Sequence, residues 1–307
     1  MKYNEPVSDS HIIKTPLSLE HLKIVKKWLQ ADELPDEGNI LVPATGGAET
    51  TLLQYMLAKY YEGNDNVNIY GYTLNVFEPP LDIKTQMEDE YNPFMNAYEG
   101  SALLYRIMEK TTKKINHIVR YFTIDEVLAV KREKNYDRIF NVPRDFDIPM
   151  AEDLVEKLNC SVWYTGRNKM YTTEQIRNTV LHLEQDHAGL KSADTHLFNK
   201  IDIPIVTQRE GYKVIRPFLE LQKHEVFKIY EELGILDLLK KTVSCPHINP
   251  GKGCYGNCQY MLSLKDKTWK SNCFERLTAE TLYGISKKCT PEEFEKEYGI
   301  SANWHKD

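Results

Sequence analysis

The chain has 307 residues; 41% are hydrophobic and 27% charged, and 39 Lys and Arg against 45 Asp and Glu leave a net charge of −6. These proportions fit a folded globular chain and exclude a collagen-like, mucin-like or largely disordered one. No run approaches the roughly 18–20 apolar residues of a membrane span, and the N-terminal segment has no apolar signal core. A cytoplasmic protein with no membrane partner is expected. The acidic balance weighs against broad binding to a nucleic-acid backbone.

Leu19, Leu22, Val25 and Leu29 recur at helical spacing, so a helix opens the fold. Asn39–Val42 is a short apolar run that stops at Pro43 and enters Ala44-Thr45-Gly46-Gly47-Ala48-Glu49-Thr50. Leu52, Leu53, Met56, Leu57 and Tyr60 follow at helical spacing, which gives strand, glycine turn, helix. Val67–Val76 reads as a second strand, 97–112 as a helix and Ile115–Ile124 as a strand. Met150–Leu158 reads as a helix, Ser161–Tyr164 as a buried strand ending at Thr165-Gly166, and Thr173–Glu184 as a helix. Ile203–Pro217 reads as one or two strands turning at Gly211, and Lys223–Leu233 as an amphipathic helix closed by Gly234. Strands alternating with helices predict a three-layer α/β domain with a mainly parallel sheet.

A turn between a parallel strand and a helix presents backbone N–H groups and the positive end of the helix dipole, which suits phosphate. Gly46 and Gly47 permit close backbone approach. Thr45, Thr50 and Thr51 add hydroxyls, and Glu49 offers a carboxylate for Mg²⁺. The segment has neither the lysine of the Walker loop nor the glycine spacing of a dinucleotide fold. The bland alternative is a plain Gly-Gly connection.

Six cysteines are unevenly placed: Cys160 stands alone, and Cys245, Cys254, Cys258, Cys273 and Cys289 lie in the last 63 residues. In a cytosolic chain such clustering points to metal or redox chemistry. Eight residues separate Cys245 from Cys254, three separate Cys254 from Cys258 and fourteen separate Cys258 from Cys273. Thiolates in a set of four make a closed tetrahedral zinc site. Cys160, just before an apolar strand, is expected to be buried and inert. His182, His187 and His196 form no metal motif, and Glu292–Glu297 reads as a solvated charged helix.

Thr45-Gly46-Gly47-Ala48-Glu49-Thr50 resembles the SGGxDS loop of the PP-loop ATP pyrophosphatases, with both glycines kept and Thr, Glu and Thr for Ser, Asp and Ser. Downstream, Arg216-Pro217-Phe218-Leu219 leads to Lys223-His224-Glu225-Val226 and then to Ser244-Cys245. That order resembles the 7-cyano-7-deazaguanine synthase branch of the family, as does Thr165-Gly166-Arg167-Asn168 after a buried strand. The resemblance covers about residues 38–285; residues 77–150 match little of it.

The resemblance implies an adenine nucleotide alpha hydrolase-like fold over residues 1–241 and a cysteine-rich helical zinc appendage over residues 242–307. It implies ATP, Mg²⁺ and Zn²⁺. Thr45, Gly46, Gly47, Ala48 and Thr50 would cradle pyrophosphate, Glu49 would hold Mg²⁺ and Lys223 would contact phosphate. Gly166 and Arg167 would lie near nucleotide or substrate. Zinc would sit on Cys245, Cys254, Cys258 and Cys273, with His247 or Cys289 as alternatives for the fourth place. The implied reaction adenylates a heterocyclic carboxylate, amidates it with ammonia and dehydrates the amide to a nitrile. A homodimer fits the family habit.

Two other readings stay open. One is a different PP-loop base modification on tRNA or DNA, for which Lys110, Lys113, Lys114, Arg120, Lys131, Arg132 and Lys134 would supply a local basic surface. The other is a non-catalytic zinc module that keeps a decayed nucleotide loop.

Overall fold

A computed structural model of the chain describes residues 16–76, 95–133, 147–172, 174–175, 203–242 and 274–287. In chain order the helices are α1 (Leu19–Leu29), α2 (Ala48–Tyr60), α3 (Met95–Lys110), α4 (Ile124–Glu133), α5 (Asp147–Lys157), α6 (Lys223–Glu232), the short α7 (Leu236–Leu239) and α8 (Phe274–Lys287). The strands are β1 (Gly38–Pro43), β2 (Val67–Val76), β3 (Ile115–Phe122), β4 (Cys160–Tyr164), β5 (Val206–Gln208) and β6 (Lys213–Ile215).

The strands form one sheet in the order β3-β2-β1-β4-β6-β5. All neighbours are parallel except β5, which turns back on β6 through Gly211 at φ +81°. Side chains alternate across the sheet because a strand has period 2. On β1, Ile40 and Val42 enter one core while Leu41 enters the other. On β4, Val162 and Tyr164 face the first core and Trp163 the second. The first core is filled by α1, α2, α3 and α6, and the second chiefly by α5. The expected three layers and mainly parallel sheet are present.

α2 is buried from Ala48 to Lys59, which fits its central position between the sheet, α1, α3 and α6. Its one buried lysine, Lys59, is paired with Glu62 at 3.0 Å. Helix α8 lies against α6, with Phe227 and Tyr283 edge to face at 6.0 Å and the Tyr283 hydroxyl 2.9 Å from Glu231 Oε2.

The expected elements over 19–30, 39–42, 67–76, 97–112, 115–124, 150–158, 161–164, 203–217 and 223–233 are found with end shifts of a few residues. Helix α4 is an addition to them. The candidate zinc ligands Cys245, Cys254, Cys258 and Cys273, the alternatives His247 and Cys289, the three histidines and the helix at 292–297 lie outside the described residues, as does nearly all of the helix placed at 173–184. Among the described residues no helix is long and apolar enough to cross a membrane.

Candidate functional site

Strand order reverses between β1 and β4: the chain runs outward from β1 through β2 to β3, then returns to the other side of β1. Connections leaving the carboxyl ends of β1 and β4 therefore diverge to opposite sides and leave a crevice, the usual ligand position in open α/β sheets. The turn Ala44–Gly47 leaves β1 there, and Thr165–Asn168 leaves β4 beside it.

The β1 turn is held from several sides. Ala44 N–H donates to Tyr72 O at 2.7 Å, and its carbonyl accepts from the Thr73 hydroxyl, which also meets His117 Nε2 at 2.8 Å. Gln54 Nε2 donates to Pro43 O at 2.6 Å. The Tyr230 hydroxyl, from α6, donates to Ala48 O at 2.6 Å. Gly46 takes φ +78°, a left-handed conformation that favours glycine. Gly47 is the N-cap of α2, and among the described residues no side chain caps that helix. Its first-turn N–H groups are thus left for a ligand, with the helix dipole adding positive potential. Thr50 Oγ1 donates to Gly47 O at 3.2 Å and lies 3.3 Å from Thr45 Oγ1.

Glu49 stands in that first turn, 6% exposed, with its Oε1 3.3 Å from Lys223 Nζ at the start of α6. The contact is an ion pair without hydrogen-bond geometry: among the described residues buried Oε1 accepts no hydrogen bond. A carboxylate beside a phosphate site is repulsive unless a cation lies between them. An oxygen that accepts no hydrogen bond in that position has room in its bonding for a hard divalent cation such as Mg²⁺, which favours carboxylate and phosphate oxygens.

The β4 turn closes on the same helix end. A Cβ on Gly166 would lie 2.7 Å from Thr50 Cγ2 and 3.3 Å from Glu49 Cβ, so only glycine allows this approach. Lys169 N–H donates to Leu221 O at 2.7 Å, which ties the β4 turn to the entry of α6. There Glu225 Oε2 accepts from Gln222 N–H at 2.8 Å, and Tyr171 OH accepts from His224 N–H at 2.9 Å.

The structure therefore brings Thr45, Gly46, Gly47, Ala48, Glu49, Thr50, Gly166 and Lys223 together. Arg167 instead lines a pocket of about 360 Å³ on the α5 side of β4. A more voluminous cavity, about 460 Å³, lies at the opposite strand ends among Glu37, Gly38, Asn39, Cys160 and Ser161. It is away from both turns, so its size does not make it the site. Cys160 is buried as expected, and burial pushes its thiol up to about 12, which leaves it unreactive. Sequence reasoning does not single out Tyr230, Gln54, Thr73 or His117. Their role is to fix the turn, and no local pattern advertises it.

No family model matches the chain. No curated protein matches it either. Among solved structures, the U34-tRNA thiolase NcsA from Methanococcus maripaludis, solved with its 4Fe–4S cluster, is similar at 13% identity over 91% of this chain and 76% of that one, with a TM-score of 0.42. NMN synthetase from Francisella tularensis is similar at 11% identity over 88% of this chain and 95% of that one, with a TM-score of 0.37. Overlap of this extent carries no residue or chemistry over to this chain.

Proposed function

We propose that the chain is an ATP-using enzyme of the PP-loop kind that cleaves ATP to AMP and pyrophosphate while activating a small heterocyclic carboxylate. The observation that carries this reading is the buried Glu49–Lys223 pair at an uncapped helix N-terminus beside a two-glycine turn, set at the strand-order reversal. It is a phosphate site with both charge signs built in.

The chemical need is a leaving group. Carboxylate oxygen departs poorly at neutral pH, whereas AMP departs readily. The substrate carboxylate would attack the α-phosphorus of ATP, forming an acyl-adenylate and releasing pyrophosphate. Ammonia would then displace AMP to give the amide and one proton. The amide oxygen would attack the α-phosphorus of a second ATP, releasing pyrophosphate, and loss of AMP and of the two amide N–H protons would give the nitrile, as in 7-cyano-7-deazaguanine formation.

In this chain the α2 N–H groups and the hydroxyls of Thr45 and Thr50 would hold the departing pyrophosphate in line. Lys223 would neutralise phosphate charge, and Glu49 would hold Mg²⁺, which supplies charge stabilisation on phosphate oxygens. Incubation with ATP, Mg²⁺, ammonia and 7-carboxy-7-deazaguanine tests the reading by mass spectrometry. AMP, pyrophosphate and a product mass matching the amide or nitrile are expected. ADP as the nucleotide product sinks it.

The same reading includes a zinc site on Cys245, Cys254, Cys258 and Cys273, supported by their clustering near Gly251, Gly253 and Gly256. Elemental analysis of the purified protein should find one zinc per chain. Chelation should destabilise the protein, because binding such a metal is coupled to folding. Protein with no zinc overturns this part alone.

A further inference from the structure

The pocket that takes Arg167 holds two more arginines, Arg209 and Arg216, together with Thr165. They arrive from three directions. Thr165 and Arg167 follow β4, Arg209 follows β5, and Arg216 follows β6. The hairpin β5–β6 turns its ends back toward β4, so residues far apart in the chain share one hollow of about 360 Å³.

Arg209, Arg216 and Thr165 are short of partners. Arg216 Nη1 donates to Thr207 Oγ1 at 2.8 Å and to Pro204 O at 3.3 Å. A guanidinium has five N–H donors, so Nε and Nη2 retain theirs. Among the described residues no carboxylate lies within ion-pair distance of Arg209 or Arg216. Burial and the neighbouring cations Arg167 and Arg209 hold the Arg216 guanidinium down to about 10, so it stays charged at neutral pH under mutual repulsion. Thr165 is 8% exposed, and among the described residues its buried Oγ1 has no hydrogen-bond partner. Strand alternation continues from Trp163 to Thr165, which places that hydroxyl on the pocket side.

Glu152 also lines the hollow, but its carboxylate is engaged by Tyr212, whose phenol is pushed up to about 12 chiefly by burial and by Glu152. Among the described lining residues the arginines outnumber the single carboxylate, Glu152, so positive charge is in excess there. Trp163, Ile148 and Val214 form an apolar wall, which weakens screening and strengthens ion pairing. Converging like charges that repel one another gain most from an anion between them. Planar guanidinium forks match carboxylate and phosphate oxygens.

We propose that Arg167, Arg209, Arg216 and Thr165 form a second binding site, one for the oxyanion group of a small molecule, a carboxylate or a phosphate. Gly166 joins this hollow to the turn at Glu49 and Thr50, so a molecule held here lies next to the phosphate site. Assigning the oxyanion to the molecule that is activated rests on the ATP reading; the pocket itself does not.

Calorimetry on the full chain at low ionic strength tests the site with benzoate and inorganic phosphate as probes. One arginine-dependent binding event is expected for each probe; any phosphate held at the α2 turn should be indifferent to these arginines. Arg209→Gln and Arg216→Gln should each weaken the arginine-dependent event by about tenfold or more, the size of losing a charged hydrogen bond. Arg209 is exposed and makes no side-chain hydrogen bond among the described residues, so its variant folds even where Arg216→Gln disturbs the hairpin. Arg120→Gln, on β3, removes equal charge elsewhere and should change nothing. Titration with ADP and Mg²⁺ separates the sources. Unchanged ADP affinity in the arginine variants assigns the site to an acidic substrate; a parallel loss assigns it to nucleotide phosphate.

Absent probe binding, affinity indifferent to Arg209→Gln, or equal weakening by Arg120→Gln overturns the proposal. The two readings fail separately. AMP formation with arginine-indifferent probe binding removes only this site. Arginine-dependent binding without AMP formation removes only the ATP reading.

Discussion

Glu49→Ala should abolish pyrophosphate release from ATP, with turnover down at least about a hundredfold, the scale for removing a group that stabilises transition-state charge. The same change takes the Glu49 carboxylate away from the buried Lys223 ammonium. Breaking a buried pair on one side costs about 3–5 kcal/mol of stability, so a lower unfolding midpoint should accompany the lost activity. Glu49→Gln keeps the side-chain volume and removes the charge, so it should show both losses without the cavity that Ala leaves. Glu49→Asp keeps the charge at the helix N-terminus and is the residue of the SGGxDS pattern, so it should retain or raise turnover. Coupled detection of AMP and pyrophosphate against Mg²⁺ concentration makes the measurement. Wild-type turnover in Glu49→Ala would falsify the role given to this carboxylate.

Gly166→Ala should damage both folding and activity, whereas Gly47→Ala should damage activity with little cost in folding. A methyl at Gly166 would meet Thr50 Cγ2 at 2.7 Å, and Thr50 cannot easily turn away because its hydroxyl bonds Gly47 O and lies against Thr45 Oγ1. Overpacking of this kind costs about 1–3 kcal/mol. Relief by moving α2 by an ångström would misplace the phosphate site, and misplacement on that scale costs about a hundredfold in rate. At Gly47 the neighbouring oxygens of Thr45, Glu49 and Thr50 would stand 3.6–3.7 Å from an added methyl, and φ is −69°. The free protein tolerates that methyl. A phosphate chain drawn onto the N–H groups would not. Urea unfolding and ATP affinity, measured together, should therefore separate the two variants. Equal stability loss in both would show that the seam between the turns is not as described.

How much of this is legible in the sequence depends on range along the chain. The β1–turn–α2 unit is local: the apolar run, Pro43, Gly46-Gly47 and the helical spacing from Leu52 all lie within one stretch. Lys223 stands out only through the order of residues around Arg216 and Pro217, yet it reaches Glu49. The convergence of Arg167, Arg209 and Arg216 is invisible along the chain. β5 and β6 have three residues each, too few for alternation to show which side each faces. Helix α4 carries Ile124, Val127 and Leu128 at helical spacing, but its run, IDEVLAVKRE, is short and ends in Lys131-Arg132-Glu133, so periodicity alone marks it weakly. Glu126 accepts from Thr123 N–H at 2.7 Å and caps its start, and the Thr and Glu three apart at 123–126 are the signal that marks it.

The seam between β1 and β4 has a consequence for how the protein is made. β1 meets β2 across short separations, as in the 29 residues between Asn39 and Asn68, but meets β4 across the 122 residues between Asn39 and Ser161. Closing the longer loop costs about 1 kcal/mol more in chain entropy, and contacts of long sequence range slow folding. A chain emerging from the ribosome can pair β1, β2 and β3 and dock α2 and α3 once Phe122 is out. Gly166 and Lys223 are synthesised later. Nucleotide affinity should therefore rise late in synthesis, when β4 inserts beside β1, and ATP should stabilise the completed chain without helping its first half to fold.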